Sequence, residues 1–199
     1  EARRVDTIRY YLALILVMTF PPAFGLWFLV HPFIGFWRRV GMTATFAFST
    51  LVFAGVCYAI LRGRDTLLAV EYGTNWVMFA FGLLLYGLAA VVEVRCRKHL
   101  TLRMLLGIPE LKAPQEGPGS LLHEGIYARV RHPRYLGVML GGTAVAMISN
   151  YLAAYLLMLA LIPVVYALTV IEEGELRQRF GDDHTRYCER VPRIIPRLG

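Results

Sequence analysis

The sequence is poor in charge and in cysteine, and both shortages narrow the kinds of protein it can encode. Charged residues make up 18% of the chain and hydrophobic residues 57%, whereas soluble domains carry more charge and less apolar surface. The three cysteines, Cys57, Cys96 and Cys188, are too few and too scattered for a disulfide framework, and they lack the spacing of metal ligands. No internal repeat or low-complexity segment is evident. These shortages exclude a disulfide scaffold and a zinc-ribbon protein, and they favour an integral membrane protein.

Long apolar runs are what the sequence has in abundance. A helix that spans a bilayer needs about 20 mainly apolar residues. Ser149-Asn150 is the only polar break between the last two runs, which predicts a tight helical hairpin. We therefore predict an all-α fold, a polytopic membrane helical bundle of one domain with about five transmembrane helices. The predicted helices cover approximately residues 8–30, with a kink at Pro21-Pro22, then 42–61, 76–94, 135–148 and 151–171.

Basic residues are distributed unevenly along the chain, which has a net charge of +7. They concentrate in residues 95–134, in the tail after residue 171 and at Arg38-Arg39. An arrangement of five spans places all three regions on one side of the membrane, and cytosolic loops carry the excess of Lys and Arg. We therefore expect a multi-pass protein with its N-terminus outside and its C-terminus in the cytosol. The excess charge is explained by this topology, so we expect no nucleic-acid partner.

Two polar motifs bracket the last hairpin. Gly125-Ile126-Tyr127 and then Arg131-His132-Pro133-Arg134-Tyr135-Leu136-Gly137 precede it, and Glu172-Glu173 follows it. Carboxylates beside a long apolar segment are costly to place near hydrocarbon, so they need a partner or a function. Because both ends of a hairpin return to the same side of the bilayer, the two motifs can meet. The sequence predicts a functional site where they do.

Several residues of these motifs have both a structural and a functional interpretation. Pro133 suits the first turn of a helix, where its missing N–H costs nothing. His132 either caps that helix or contacts a ligand, and Arg131 either reaches the headgroups or holds an anionic group. Tyr127 and Tyr135 either lie in the interfacial aromatic belt or stack on a ligand.

Glu172 and Glu173 follow twenty uncharged residues. Adjacent helical residues point about 100° apart, so one carboxylate is expected to face the bundle interior and the other the cytosolic surface. Acidic groups at a helix C-terminus are unfavourable, but this objection disappears if the helix continues through Phe180. A carboxylate held there is suited to accept hydrogen bonds from ribose hydroxyls or from an ammonium group.

The combined pattern resembles that of the isoprenylcysteine carboxyl methyltransferase and phospholipid methyltransferase family of membrane enzymes. It consists of Gly-Ile-Tyr, Arg-His-Pro-x-Tyr-x-Gly, Glu-Glu-x-x-Leu and Phe-Gly followed by Tyr187, and it covers approximately residues 121–196. The resemblance implies an S-adenosylmethionine-dependent methyltransferase. Its acceptor would be a lipophilic, membrane-resident compound, either the carboxylate of an isoprenoid or prenylcysteine-like compound or another lipid.

The resemblance also implies a set of site residues. Residues 1–100 would hold N-terminal transmembrane helices, and residues 101–199 would hold the catalytic loop, which includes 114–120, the hairpin, the cytosolic cofactor-binding segment and the tail. Arg131 and Glu173 would be catalytic, with His123, Glu124 and Glu173 as candidate bases for an acceptor that must lose a proton. No metal is expected. The cofactor would be held by Leu121, Leu122, His123, Gly125, Tyr127, His132, Tyr135, Leu136 and Glu172.

Two positions depart from the family pattern. Leu168 stands one helical turn before Glu172, where prenylcysteine methyltransferases carry an arginine thought to meet the substrate carboxylate. His184 stands where a tyrosine is common, and one additional residue precedes Tyr187. The loss of the arginine argues against a prenylcysteine carboxylate as the acceptor.

Two other function classes fit parts of the sequence. Membrane sterol reductases share the Arg-His-Pro-x-Tyr-x-Gly turn and bind NADPH, but they usually carry an Arg-Asp-Glu segment where this chain has Ile171-Glu172-Glu173. A small transporter or assembly factor would use intramembrane carboxylates to handle ions. Transporters often show repeated halves, which this chain does not show clearly.

Overall fold

The computed structural model describes residues 2–98 and 121–196. In these residues the protein is an all-helical bundle, as the sequence predicts. A short 3₁₀ turn, η1, lies between the N-terminal helices and the hairpin. One isolated antiparallel bridge joins Glu71 to Tyr151. The helices are α1 (Ala2–Val30), α2 (Ile34–Val40), α3 (Met42–Arg62), α4 (Arg64–Leu67), α5 (Trp76–Arg97), η1 (Gly125–Ala128), α6 (Pro133–Ser149), α7 (Leu152–Phe180) and α8 (Asp182–Arg190).

Four of the described helices, α1, α3, α5 and α7, are long and apolar enough to cross a membrane. The remaining predicted crossing corresponds to α6, which has 17 residues. At about 1.5 Å per residue such a helix is roughly 25 Å long, shorter than a hydrocarbon core of about 30 Å. Helix α6 can therefore cross the core only if the residues at its start also lie within the membrane. Helix α7 extends to Phe180, past the predicted end at residue 171, so the glutamate pair is inside a helix.

The turn between α6 and α7 is held by a left-handed residue. Asn150 has φ 58° and ψ 45°, and its side-chain amide donates to the Gly73 carbonyl at 2.9 Å. The Tyr155 hydroxyl donates to Asn150 Oδ1 at 2.9 Å, and the Tyr72 amide donates to the Asn150 carbonyl at 3.1 Å. The segment before α5 therefore lies against the hairpin turn.

A buried arginine ties the beginning of α1 to the same end of the bundle. Arg9 is 1% exposed, and its Nε donates to the Ser149 carbonyl at 3.0 Å. Its Nη1 lies 2.9 Å from carboxylate oxygens of both Asp6 and Glu71. The N-terminal end of α1 therefore lies beside the hairpin turn, at the opposite end of α7 from Glu172.

The other end of α1 reaches the glutamate pair's end of α7. His31 Nε2 lies 2.8 Å from Glu175 Oε2, three residues beyond Glu172. The imidazole of His31 also stacks on Trp27, with ring centroids 4.2 Å apart. Helix α1 thus runs alongside the hairpin from its turn to its open end.

Helices α5 and α6 pack closely through glycine. A Cβ atom on Gly82 would lie 2.6 Å from Ile148 Cγ1 and 2.9 Å from the Ala144 carbonyl oxygen. On α6, a Cβ on Gly137 would lie 3.2 Å from Val92 Cγ1. Small residues that allow close approach are typical of membrane helix interfaces. This packing fixes the position of α6 and of the Arg-His-Pro turn, whose Pro133 is the first residue of α6.

Candidate active site

The structure brings the Arg-His-Pro turn and the glutamate pair together. The Tyr135 hydroxyl, from the first turn of α6, donates to Glu172 Oε1 at 2.6 Å. His132 precedes α6 directly, and its Nδ1 lies 3.4 Å from Glu172 Oε2. Its Nε2 lies 3.2 Å from Glu173 Oε1. One imidazole therefore contacts both carboxylates of the pair through its two ring nitrogens.

Glu173 is the buried member of the pair, with 6% of its side chain exposed. Arg131 donates to Glu173 Oε1 from Nε at 2.8 Å, and its Nη2 lies 2.8 Å from the same oxygen. Arg193 donates to Oε1 from Nε at 3.1 Å and to Oε2 from Nη2 at 2.6 Å. A buried carboxylate requires this kind of compensation, because burial without paired charges carries a penalty of several kcal/mol.

Arg131 also holds the segment that follows α8. Its Nη1 donates to the Cys188 carbonyl at 2.8 Å and to the Val191 carbonyl. The main-chain amide of Arg131 donates to the Pro192 carbonyl at 2.9 Å. The guanidinium is therefore engaged on all its nitrogens by Glu173 and by the tail backbone, so its contacts are with the protein's own framework.

Glu172 has a different environment from its neighbour. Its side chain is 27% exposed, and its contacts are with the neutral Tyr135 hydroxyl and with His132. The sequence predicts this division, because adjacent helical residues point about 100° apart. Glu172 therefore presents a partly accessible carboxylate whose orientation is set by two neighbouring side chains.

The two carboxylates control the charge of His132. Burial of the imidazole disfavours its protonated form, but hydrogen bonds to Glu172 and Glu173 and the negative charges of both raise the pKa of His132 above its ordinary value of 6.5. The net direction is upward because both ring nitrogens face an anionic oxygen. This site therefore favours an imidazolium that bridges the pair.

Tyr127 in η1 lies close to the same group. Its side chain is buried, and its carbonyl accepts a hydrogen bond from the Tyr187 hydroxyl of α8 at 2.7 Å. Burial raises the pKa of Tyr127, and the charge of Glu172 is near enough to contribute to that rise. The 3₁₀ turn is thus held against α8 by the Tyr187 hydroxyl.

The remaining residues predicted to bind a cofactor lie just before η1, at its first residue or in the first turn of α6. Leu121 and Leu122 are half-buried, whereas His123 and Gly125 are exposed, and Gly125 has a positive φ of 59°. His123 Nδ1 lies 2.9 Å from the Leu121 carbonyl. The Leu136 amide donates to the His132 carbonyl at 3.3 Å, which begins α6. The predicted loop 114–120 lies outside the described residues.

The two positions that depart from the family pattern are both buried. Leu168 and His184 are 0% exposed. Burial lowers the pKa of His184, and its Nε2 lies 3.6 Å from Cys188 Sγ. Leu168 therefore places an aliphatic side chain in the packed interior one turn before Glu172.

The site includes two residues outside the predicted set of site residues, Arg193 and Tyr187, although Tyr187 belongs to the sequence pattern that resembles the family. A signal for Arg193 exists in the sequence, since two adjacent carboxylates beside an apolar helix need nearby cations. The tail supplies several arginines, however, and only the tertiary structure selects one. In the part of the chain that the structure describes, no group of three or more His, Cys, Asp or Glu side chains is arranged to hold a metal ion.

Comparison with known proteins identifies the family. The sequence profile of the phospholipid methyltransferase family matches residues 77–183, more than half of the chain. The chain belongs to this family. The match includes α5, η1, α6, α7 and both polar motifs, and it confirms the resemblance found in the sequence. Membership supports a membrane methyltransferase of the isoprenylcysteine and phospholipid type.

One curated relative is similar over a shorter segment. The protein-S-isoprenylcysteine O-methyltransferase of Schizosaccharomyces pombe is 35% identical over 77 residues, which is 38% of this chain and 33% of that protein. The chain therefore spans about a third of the length of the relative that it matches. No solved structure gives a significant match.

Proposed function

We propose that this protein is an integral membrane methyltransferase that uses S-adenosylmethionine to methylate a lipophilic acceptor drawn from the bilayer. The observation that carries the proposal is the environment of Glu172. Its carboxylate is partly exposed at the open end of the hairpin and is oriented by Tyr135 at 2.6 Å and His132 at 3.4 Å. Family membership supplies the reaction class, and this carboxylate supplies a place for the methyl donor.

The chemistry of these side chains fits S-adenosylmethionine. A carboxylate accepts hydrogen bonds from ribose hydroxyls or from an amino group, and its charge suits a cationic donor. Glu173 does not compete for this role, because Arg131 and Arg193 already compensate its charge. When bound, S-adenosylmethionine supplies an electrophilic methyl group on its sulfonium. We propose that Leu121, Leu122, His123, Gly125, Tyr127, His132, Tyr135, Leu136 and Glu172 hold it.

Positioning is the main contribution that these residues make to the reaction. Holding two reactants in line supplies up to about 7–11 kcal/mol of the barrier reduction. Tyr135 and His132 fix the orientation of Glu172. We propose that the buried pair of Arg131 and Glu173 holds the open end of the hairpin in the position that these two contacts require. The contacts of this pair favour a role in setting geometry, and its catalytic assignment stays a prediction.

We propose that the site faces the cytosol and that the acceptor enters from the surrounding lipid. Basic residues beside the site, including exposed Arg134 and Arg177, support this orientation by the charge rule for cytosolic segments. The acceptor is a lipid or a lipophilic compound. The buried aliphatic side chain of Leu168 supports an acceptor other than a prenylcysteine carboxylate.

A binding experiment tests this proposal directly. Detergent-purified protein is heated with S-adenosylhomocysteine or with NADPH, and the melting temperature is measured. A ligand at about 100 times its dissociation constant stabilises the folded state by about 2.7 kcal/mol. We expect stabilisation by S-adenosylhomocysteine alone. Stabilisation by NADPH alone would indicate a reductase-type enzyme, and folded protein with no response to either would refute the proposed function.

The variant Glu172→Gln assigns the binding to this site. It removes the charge while retaining the shape, so the protein should fold while its affinity for S-adenosylhomocysteine falls by about tenfold or more, as when a charge-assisted hydrogen bond is lost. Glu189→Gln, on an exposed position of α8, is the matched control. Calorimetry that gives Glu172→Gln the wild-type affinity would remove Glu172 from the site.

A further inference from the structure

We propose that Arg193 is a positioning residue that orients His132 and Glu172 for cofactor binding, an inference that rests on the proposed function. Arg193 lies after α8 and outside the residues 77–183 matched by the family profile. It does not contact Glu172 in the structure. Its influence passes through Glu173 and through the main chain of His132.

The first connection is made by the side chain. Arg193 donates to both oxygens of Glu173, at 3.1 Å and 2.6 Å. This two-nitrogen contact fixes the plane of the carboxylate, which a single point charge would not do. Because Oε1 of Glu173 also lies 3.2 Å from His132 Nε2, the plane that Arg193 selects sets where the imidazole finds its partner.

The second connection is made by the backbone. The His132 amide donates to the Arg193 carbonyl at 2.9 Å, and the preceding amide of Arg131 donates to the Pro192 carbonyl at 2.9 Å. Arg193 therefore holds His132 at its main chain and, through Glu173, at its ring. The main-chain hydrogen bond fixes the position of His132, and the contact of Nε2 with Glu173 orients the ring so that Nδ1 is directed at Glu172.

The environment of the guanidinium favours arginine at this position. Its carbon atom lies 5.1 Å from the ring centroid of Tyr166 on α7, so the guanidinium stacks on that ring while it pairs with Glu173. Tyr166 and Glu173 are separated by seven residues and lie on the same face of the helix. A planar cation satisfies both neighbours together, and a lysine ammonium would satisfy them less well.

The test compares three variants of the full chain in detergent. Arg193→Gln removes the charge, Arg193→Lys keeps the charge without the two-nitrogen contact, and Arg190→Gln changes an exposed arginine of α8 as the control. Calorimetry measures the dissociation constant of S-adenosylhomocysteine, and a thermal melt without ligand measures the folded state.

We expect Arg193→Gln to weaken binding by about 10- to 100-fold, the range typical when a residue that orients a metal-ligating side chain is removed. Arg193→Lys should recover part of that loss, and Arg190→Gln should match the wild type. Folded Arg193→Gln with the affinity of Arg190→Gln would overturn the proposal. If Arg193→Gln does not fold, the test rests on Arg193→Lys, and wild-type affinity in Arg193→Lys would overturn the proposal.

A second measurement needs no ligand and separates this proposal from the proposed function. Histidine-selective NMR follows the titration of His132, which faces Glu172 and Glu173 of α7, Arg131 beside it, Tyr135 of α6 and His184 of α8. Arg193→Lys keeps the charge but no longer fixes the plane of the Glu173 carboxylate, so the hydrogen bond that raises the pKa of His132 should weaken and the His132 midpoint should move to lower pH. An unchanged midpoint would overturn the positioning role. A shifted midpoint in a protein that binds no S-adenosylhomocysteine would refute the proposed function and leave the positioning role supported.

Discussion

Replacing Gly82 with alanine should destabilise the bundle at the contact between α5 and α6. The added Cβ would lie 2.6 Å from Ile148 Cγ1 and 2.9 Å from the Ala144 carbonyl oxygen. The first contact involves a side chain that can move. The second involves backbone within a helix, which can move only if α6 shifts as a whole.

The magnitude follows from two opposing effects. Alanine favours a helix interior over glycine by about 0.5–1 kcal/mol. Overpacking a tight contact costs about 1–3 kcal/mol, and the two approaches under 3 Å place this site in the upper part of that range. The net loss for Gly82→Ala should therefore be about 1–2 kcal/mol of the free energy of unfolding.

Gly87 provides a matched control on the same helix. A Cβ there meets nothing within 4 Å, so Gly87→Ala should retain the helix-forming gain without the clash. The difference between the two variants isolates the packing penalty. Equilibrium unfolding of both in the same detergent, monitored by helical circular dichroism, measures it. Gly82→Ala as stable as Gly87→Ala would refute the close packing of α5 on α6.

Two further predictions concern the two ends of the hairpin. Because hydrogen bonds to Glu172 and Glu173 raise the pKa of His132 above 6.5, the stability that it contributes is full below about pH 6.5 and is lost as pH rises through the raised pKa. The difference in melting temperature between the wild type and His132→Gln should therefore narrow as the pH rises above about 6.5, and a difference that widens would contradict the bridging imidazolium. At the turn, Asn150→Ala should lose about 2–4 kcal/mol, from a left-handed φ of 58° and two side-chain hydrogen bonds. Asn150→Gly should recover about 1 kcal/mol of this lost free energy of unfolding, because glycine adopts a positive φ without strain. Chemical denaturation measures both variants, and equal losses in Asn150→Ala and Asn150→Gly would show that the backbone conformation carries no strain.

The helical segments follow from the sequence because they depend on local composition. Runs of about 20 apolar residues specify membrane helices wherever they occur. Helices α3, α5 and α7 begin within about one residue of their predicted starts, whereas α1 begins at Ala2, before its predicted start at residue 8. The predicted membrane span ends at residue 171, where the apolar run ends, and the sequence leaves open a continuation of the helix through Phe180. The helix continues to Phe180, because the charged residues beyond it also favour helix and the buried pairing of Glu173 holds its side chain in place.

The meeting of the two polar motifs was also predictable, because it depends only on the hairpin. The sequence could not assign the partners of each charge. Arg131 was predicted to be catalytic, and its side chain binds Glu173 and the tail backbone. Arg193, absent from the prediction, holds the same carboxylate from 20 residues away along the chain. Several tail arginines are equivalent in sequence, and the path of the chain after α8 selects one.

The sequence by itself determined that this chain is a multi-helix membrane protein of the phospholipid methyltransferase family, with a polar site at the open end of its last hairpin. These properties reside in apolar run lengths and in motif spacing, both of which can be read along the chain without knowledge of its tertiary contacts. Only the tertiary structure decided which carboxylate of the pair is buried: Glu173 lies between two guanidiniums, and Glu172 remains accessible. That distinction arises from desolvation and from contacts between residues distant in the chain, which no local pattern encodes.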